Sequence, residues 1–407
     1  MATCKWLGNA AAVAQVTTAT PGSVSATDTF TITINNKAIT VEAPSTSVPV
    51  VVGLLVAAFN ASTEPEFAEI TATDGGTVVI LTADVKGRPF TAIGSSSGGT
   101  LNMSTTTAAS GPNHWDNTAN WSGGAVPTSA DDVVFENSAV DCLFGYPGSP
   151  TALTSLSILA SYTGKIGLPD RNTGGYSEYR TKALALNPTT VRIGYGEGNG
   201  SPFMRLTTTG VAAGISVNKT GQPTDLSFGA LYLVANTSST TLEVLSGYVS
   251  VATLAGDAAQ FSSVKIGYLN NPASDSHVRF GTGVTFSGAI DMSGGEVETN
   301  SALGTVNVTD GTLTHFLGAV TTLNLYGGTC FYNATGTLTT ATVGSKGRLD
   351  FTRDMSAKTV TNTITLAAGA KLFDSFGVVS SLAYQAVKCS DKDVTVEVGF
   401  NKTHTIS

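Results

Sequence analysis

Charged side chains are scarce in this sequence. Asp, Glu, Lys and Arg make up 12% of the 407 residues, about half of the usual ~25%. The formal net charge is −8, and Lys and Arg form no basic run. Proteins bind nucleic acid through clustered cations that follow the phosphates. The composition therefore argues against direct binding of nucleic acid.

Long apolar runs and close cysteine pairs are also missing. No run of 18 apolar residues occurs, so we expect neither a transmembrane helix nor a membrane partner. The first residues, MATCKWLGNAAAVAQV, contain no sustained leucine-rich run, and we interpret them as mature protein. Cys4, Cys142, Cys330 and Cys389 lie far apart. We expect free thiols in a protein that folds in a reducing cytosol.

A convergent catalytic set is not apparent. Glycoside hydrolysis needs two carboxylates that flank the bond. Asp291, Glu296 and Glu298 are the candidates, and Glu296 and Glu298 would face the same side of a strand. They also fit ordinary outward positions of a strand. We expect no catalytic residues, no cofactor and no metal site.

The histidines do not suggest a catalytic or metal site either. His315 aligns with Thr299 and Tyr332 in the repeat described below, and we expect this position on the surface. The four histidines lie in separate contexts: His114, His277, His315 and His404.

Glycine and alternating apolar residues are what the sequence does contain. Glycine occupies 45 positions, above the average share of roughly 7%. One phrase recurs at Ile290, Val306 and Leu323, in steps of 16 and 17 residues, and a looser copy begins at Ala341. Each copy has an alternating apolar pair, a turn with glycine and another apolar residue. A fourth copy, LEVLSGYVSV, begins 48 residues before Ile290, which would equal three steps of 16.

A short fixed period with strand alternation is typical of a solenoid. Coils of 16–18 residues give a perimeter of about 55 Å at ~3.3 Å per residue, enough for a narrow triangular coil. Cys330 aligns with Val297 and Leu313 and should point inward. The alternative is a hairpin at each Gly-Gly. The two differ in strand pairing, which would be parallel between coils or antiparallel within a phrase.

We predict a mainly β protein, with a small N-terminal α+β domain followed by a parallel β-helix (β-solenoid) with coils of about 16–18 residues. In residues 28–85, two hairpins flank a segment that is either a helix capped by Ser47 or, because of Gly53 and its run of valines, a strand. Trp115 and Trp121 should plug the end of a core. The predicted units are an N-terminal α+β domain (1–110), a linker and solenoid cap (111–150), the solenoid (151–383) and a C-terminal strand segment (384–407).

Four segments resemble structural proteins of tailed-bacteriophage virions, of the β-solenoid decoration or fibre type. They are DTFTITINNKAITVEA with the following hairpin, NWSGGAVPTSADDVVFENS, GKIGLPDRNTGGYSEYRTKAL followed by VRIGYGEGNGSPFMRL, and the coils that end in GRLDFTRDMSAKTVTN. The resemblance implies a non-enzymatic component of the virion and does not tell the head from the tail. Because the sequence contains no coiled-coil stretch typical of long fibres, we expect a capsid decoration or head fibre displayed on the virion surface. The resemblance also implies a homotrimer in contact with other virion proteins, either the major capsid protein or tail components. A tail fibre or tailspike that degrades polysaccharide, and a bacterial surface adhesin, are the alternatives. Host cell-surface glycans are a further candidate partner.

An unusual segment, 171–205, concentrates arginine and tyrosine, the residue types enriched at binding interfaces. Either it contacts a partner or it is a loop closed by its own Arg–Glu pair. The candidate interface residues are Arg171, Tyr176, Glu178, Tyr179 and Arg180.

Overall fold

A computed structural model of the chain describes residues 2–168, 172–173, 176–177, 182–208, 214–226, 228–267, 275–387, 393–399 and 404–406. Strand β1 is Thr3–Lys5. The elements that follow in the N-terminal unit are β2 Val16–Gly22, β3 Thr29–Ile34, β4 Lys37–Glu42, α1 Val48–Asn60, β5 Ile70–Asp74, β6 Val79–Ala83, β7 Ala92–Ser96 and β8 Thr100–Thr107.

The N-terminal unit contains both predicted hairpins and the helix. Asn35 and Asn36 form the β3–β4 turn with φ of 44° and 69°, as a type I′ turn requires. Helix α1 begins after Ser47, whose side chain makes no capping hydrogen bond. The helix is held instead by its buried apolar face, which packs between two antiparallel sheets, β5-β6-β2-β8 and β4-β3-β7. This unit has a hydrophobic core separate from that of the remaining chain.

The remaining chain forms the parallel β-solenoid. A 3₁₀ helix, Thr118–Asn120, precedes it. Its earlier strands are β9 Asp132–Phe135, β10 Ser155–Ile158, β13 Leu184–Leu186, β14 Thr190–Ile193, β15 Met204–Thr208, β16 Gly214–Val217, β17 Leu231–Ala235, β18 Thr241–Val244, β19 Gly247–Val251, β20 Ala259–Phe261 and β21 Ser263–Ile266. Between β10 and β13, strands β11 Asn172–Thr173 and β12 Tyr176–Ser177 form a separate antiparallel pair. Its later strands are β22 Ser276–Phe280, β23 Val284–Phe286, β24 Ile290–Thr299, β25 Leu303–His315, β26 Val320–Tyr332, β27 Thr337–Asp350, β28 Thr359–Val360, β29 Ile364–Leu366, β30 Lys371–Asp374, β31 Leu382–Ala386, β32 Thr395–Val398 and β33 His404–Ile406.

The strand register confirms the predicted coils. Ile290 pairs with Val306, Val306 with Leu323, and Leu323 with Ala341, always in parallel. The described coils thus pair with the next coil rather than within a phrase, so the hairpin alternative is wrong. The placement of LEVLSGYVSV was also wrong, because Leu242 pairs with Val264 and Val264 with Ile290. Two longer coils separate it from Ile290, rather than three coils of 16 residues.

Three parallel ladders run along the solenoid, and we call them faces A, B and C. Face A contains 290–292, 306–308, 323–325 and 341–343, face B contains 296–299, 312–315, 329–332 and 348–350, and face C contains 303–305, 320–322 and 338–340. Equivalent inward residues stack on each other, such as Val297, Leu313 and Cys330, all at most 2% exposed. The core is therefore a continuous column of side chains along the axis.

The N-terminal end of this column is closed by tryptophans, as predicted. Trp115 and Trp121 are buried beside Trp6, with ring centroids 4.7 Å (Trp115–Trp121) and 5.2 Å (Trp6–Trp121) apart in edge-to-face geometry. Trp6 follows β1, which pairs with β9. The beginning of the chain therefore lies in the solenoid, covering its first coil.

Candidate functional site

Face B carries the two carboxylates that the sequence marked as candidates. Glu296 and Glu298 point outward from β24, on either side of inward Val297, with side chains 65% and 42% exposed. The prediction that they share one side of a strand is confirmed. Asp291 lies on face A instead, where its Oδ1 accepts a hydrogen bond from Asn307 at 2.7 Å. The three acidic candidates therefore do not converge.

Each of the two carboxylates is paired with a basic side chain on the neighbouring strand. The register of β22 and β24 sets His277 beside Glu296 and Arg279 beside Glu298. The separations are 3.1 Å from His277 Nδ1 to Glu296 Oε2 and 2.9 Å from Arg279 Nε to Glu298 Oε2. A glycosidase acid instead needs an apolar environment that keeps it protonated. Glu296 and Glu298 therefore make two cross-strand contacts and are not arranged as a catalytic acid and base.

These four side chains form one wall of a groove. The ring of His277 stacks on that of Tyr248, with centroids 4.7 Å apart and planes 3° from parallel. Arg279 Nη1 donates to the carbonyl of Leu226 at 3.1 Å. The resulting cavity of about 250 Å³, which we call the face B groove, is lined by Leu226, Tyr248, His277, Val278, Arg279, Glu296 and Glu298.

The sequence alone did not reveal Tyr248, His277, Arg279 and Leu226 as neighbours of the carboxylates. The coil that contains His277 is longer than 16–18 residues, because Val264 pairs with Ile290. A fixed period therefore places His277 opposite the wrong residue. The available signal was the alternation of HVRF, which matches EVET residue by residue once the register is known.

Arg205, at the end of the arginine-rich segment, is buried rather than displayed. It is 5% exposed, and its guanidinium lies 4.8–5.1 Å from the ring centroids of Phe203, Phe228 and Tyr232. Tyr195, in the same segment, contacts Ser216 through its hydroxyl at 2.6 Å. Both residues hold adjacent coils together.

The candidate interface side chains cannot be placed. Four of them lie outside the described residues: Arg171, Glu178, Tyr179 and Arg180. The backbone of Tyr176 is described, in the strand Tyr176–Ser177 that pairs antiparallel with Asn172–Thr173, but its side chain is not. Their role as an interface stays a prediction.

His315 is buried, and the prediction that it lies on the surface is wrong. It pairs with Thr299 and Tyr332 as expected, but all three are fully buried. Two-residue alternation places them on the inward side together with Val297, Leu313 and Cys330. His315 Nε2 donates to the Gly318 carbonyl at 3.0 Å. Burial lowers the pKa of His315 below its ordinary value, and that hydrogen bond opposes the shift.

Cys330 lies inside the solenoid, as predicted. It is 1% exposed and is not in a disulfide. Burial, with a smaller effect of Asp350, raises the pKa of its thiol to about 12. Cys4 and Cys142 are likewise free and buried, and Cys389 lies outside the described residues.

Within the described ranges, His, Cys, Asp and Glu side chains form no group of three that could hold a metal ion. Among the same residues, no helix has the length and apolar character needed to cross a membrane.

No protein-family model matches the chain, and no curated protein matches it significantly.

Proposed function

We propose that the chain is a non-enzymatic structural protein of a tailed-bacteriophage virion. It is displayed on the particle surface as a capsid decoration or head fibre, after synthesis in the host cytoplasm. Support comes from the resemblance of its segments to such proteins. A second support is the architecture, in which a small domain with its own core precedes a solenoid with one continuous core. Parallel coils of this kind form an extended scaffold.

The cross-strand contacts of both carboxylates on face B are the observation that carries the non-enzymatic part. Glu296 and Glu298 are the acidic candidates that share a face, and each contacts a basic residue of the preceding coil. Fold alone does not define function, so this side-chain geometry is the observation that supports a scaffold over a polysaccharide-cleaving tailspike.

Assembly as a homotrimer is the second part of the proposal. Exposed apolar side chains collect along the corner between faces B and C, where Phe316, Leu317, Met355 and Phe376 are 39–75% exposed. At the same corner Arg353 lies 3.2 Å from the ring centroid of Phe331. Closed symmetric association is a common way to cover such surfaces.

The composition of purified particles tests display on the virion. Mass spectrometry of gradient-purified phage should find the chain in stoichiometric amounts, beside the major capsid protein. Antibody against the chain should bind intact particles. Absence of the chain from pure particles would contradict the proposal.

A cleavage assay tests the alternative of a polysaccharide-degrading tailspike. Purified protein incubated with host capsule or lipopolysaccharide should release no oligosaccharide. Release that disappears in Glu296→Gln or Glu298→Gln, but persists in the face A control Asp291→Asn, would show that the groove is catalytic.

A further inference from the structure

We infer that the face B groove binds one neutral sugar ring of a cell-surface glycan, without cleaving it. The groove joins the two features that such a ligand needs. Fixed polar groups face its hydroxyls, and an apolar side faces its C–H bonds. The inference goes beyond the structural role and does not depend on it.

The polar wall can both donate and accept hydrogen bonds. The contacts of Glu296 with His277 and of Glu298 with Arg279 use Oε2 of each carboxylate, so Oε1 can accept from a ligand hydroxyl. The side chains of Arg279 and His277 are each 39% exposed and can donate. Because these contacts already fix the four side chains, little conformational entropy is lost when a ligand binds.

The apolar side is formed by Leu226 and Tyr248. Leu226 is 61% exposed, and its carbonyl is fixed by Arg279. The Tyr248 ring is held by its stack on His277. A cavity of about 250 Å³ that opens to solvent suits a single ring whose neighbours in the glycan extend outward.

The charges of the groove select the class of sugar. Two carboxylates face one guanidinium, and His277 is the remaining basic group. An anionic sugar such as a uronate would meet two like charges, which repel it. A neutral hexose or N-acetylhexosamine avoids this repulsion.

Saturation-transfer NMR with single sugars tests the inference. The panel is glucose, galactose, mannose, N-acetylglucosamine and, as the acidic comparison, glucuronate. We expect transfer to at least one neutral sugar, with a Kd on the order of 1 mM, and none to glucuronate. Glu298→Ala and Tyr248→Ala should each weaken binding by about tenfold or more, because each removes a direct ligand contact. Asp291→Asn, on face A of the same coil, should bind like the wild type.

Three outcomes would overturn the inference. They are no transfer to any neutral sugar, equal transfer to glucuronate, and unchanged binding by both groove variants. Thermal unfolding checks that each variant is folded, and a single folded groove variant is sufficient to decide. None of these outcomes bears on whether the chain enters virions, so the inference and the proposed function fail independently.

Discussion

At the scale of single residues, Cys330 reports the register of the coils. Its thiol is buried in the column formed by Val297 and Leu313, and a shift of one residue would turn it outward. In a Cys389→Ser protein, native labelling with a thiol reagent should be negligible, because the three remaining thiols are buried. Denaturation should expose all three. Rapid native labelling of Cys330, identified by peptide mapping, would show that the register is wrong.

His315 makes the stability of the solenoid depend on pH. Its pKa in the folded state is lowered by burial, whereas in the unfolded chain it stays near 6.5. At a pH between these two pKa values, the unfolded chain binds more protons than the folded chain. The contribution of His315 to stability is therefore complete above about pH 6.5 and is lost as pH falls.

Urea unfolding from pH 8 to pH 5 measures this effect. The free energy of unfolding of the wild type should fall more than that of His315→Gln, which cannot titrate at this position. Parallel curves for wild type and His315→Gln would rule out the assigned role.

The polar side chain of His315 suggested a surface position, whereas the two-residue alternation of the strand indicates an inward one. Val297 and Thr299 are two residues apart, and the same spacing links Leu313 to His315 and Cys330 to Tyr332. The inward direction was therefore encoded in the pattern. What the pattern could not show was the Gly318 carbonyl, which accepts the ring N–H and makes burial of the histidine tolerable.

At the scale of strands and corners, the glycines after face A set the coil turn. Gly295, Gly311 and Gly328 have φ of 74°, 93° and 70°, a region that favours glycine. A Cβ on Gly311 would also lie 2.5 Å from the Gly295 carbonyl oxygen.

Gly311→Ala should therefore lower the free energy of unfolding by roughly 1–3 kcal/mol. Gly304→Ala, in the same strand β25, is the matched control, because a Cβ there meets no atom within 4 Å. It should change stability by less than about 1 kcal/mol, with either sign. Urea unfolding of both variants is the measurement, and equal losses would contradict the corner argument.

The short coils were predictable and the longer coils were not. From Ile290 to Val343 the coils contain little beyond their paired segments, so a fixed period survives in the sequence. Earlier coils carry insertions of different lengths at their corners, as the Leu242–Val264–Ile290 register shows. These insertions leave the ladders intact but remove the fixed period from the sequence. Without the period, cross-strand neighbours such as His277 and Glu296 could not be predicted.

At the scale of the whole molecule, we expect a homotrimer with Tyr176, Tyr179 and Arg180 at an interface, between protomers or against the virion. Light scattering should give about three times the protomer mass of 41.4 kDa. Loss of well-buried interface anchors costs ~2 kcal/mol or more each, so the triple alanine variant should assemble or enter particles poorly. Tyr326→Ala, which removes an exposed tyrosine of the solenoid (53%), is the control.

A protomer mass at micromolar concentration would contradict the trimer. Normal assembly and normal incorporation of the triple variant would show instead that GGYSEYR is a loop closed on itself. The apolar corner with Phe316 and Met355 would then be the remaining candidate for the trimer contact.

Electron cryo-microscopy of particles made with and without the gene tests the central claim most directly. Wild-type heads should carry threefold-symmetric projections that deletion particles lack and that a complementing copy restores. Indistinguishable wild-type and deletion particles, with the chain absent from both, would contradict the account of this protein as a displayed virion component.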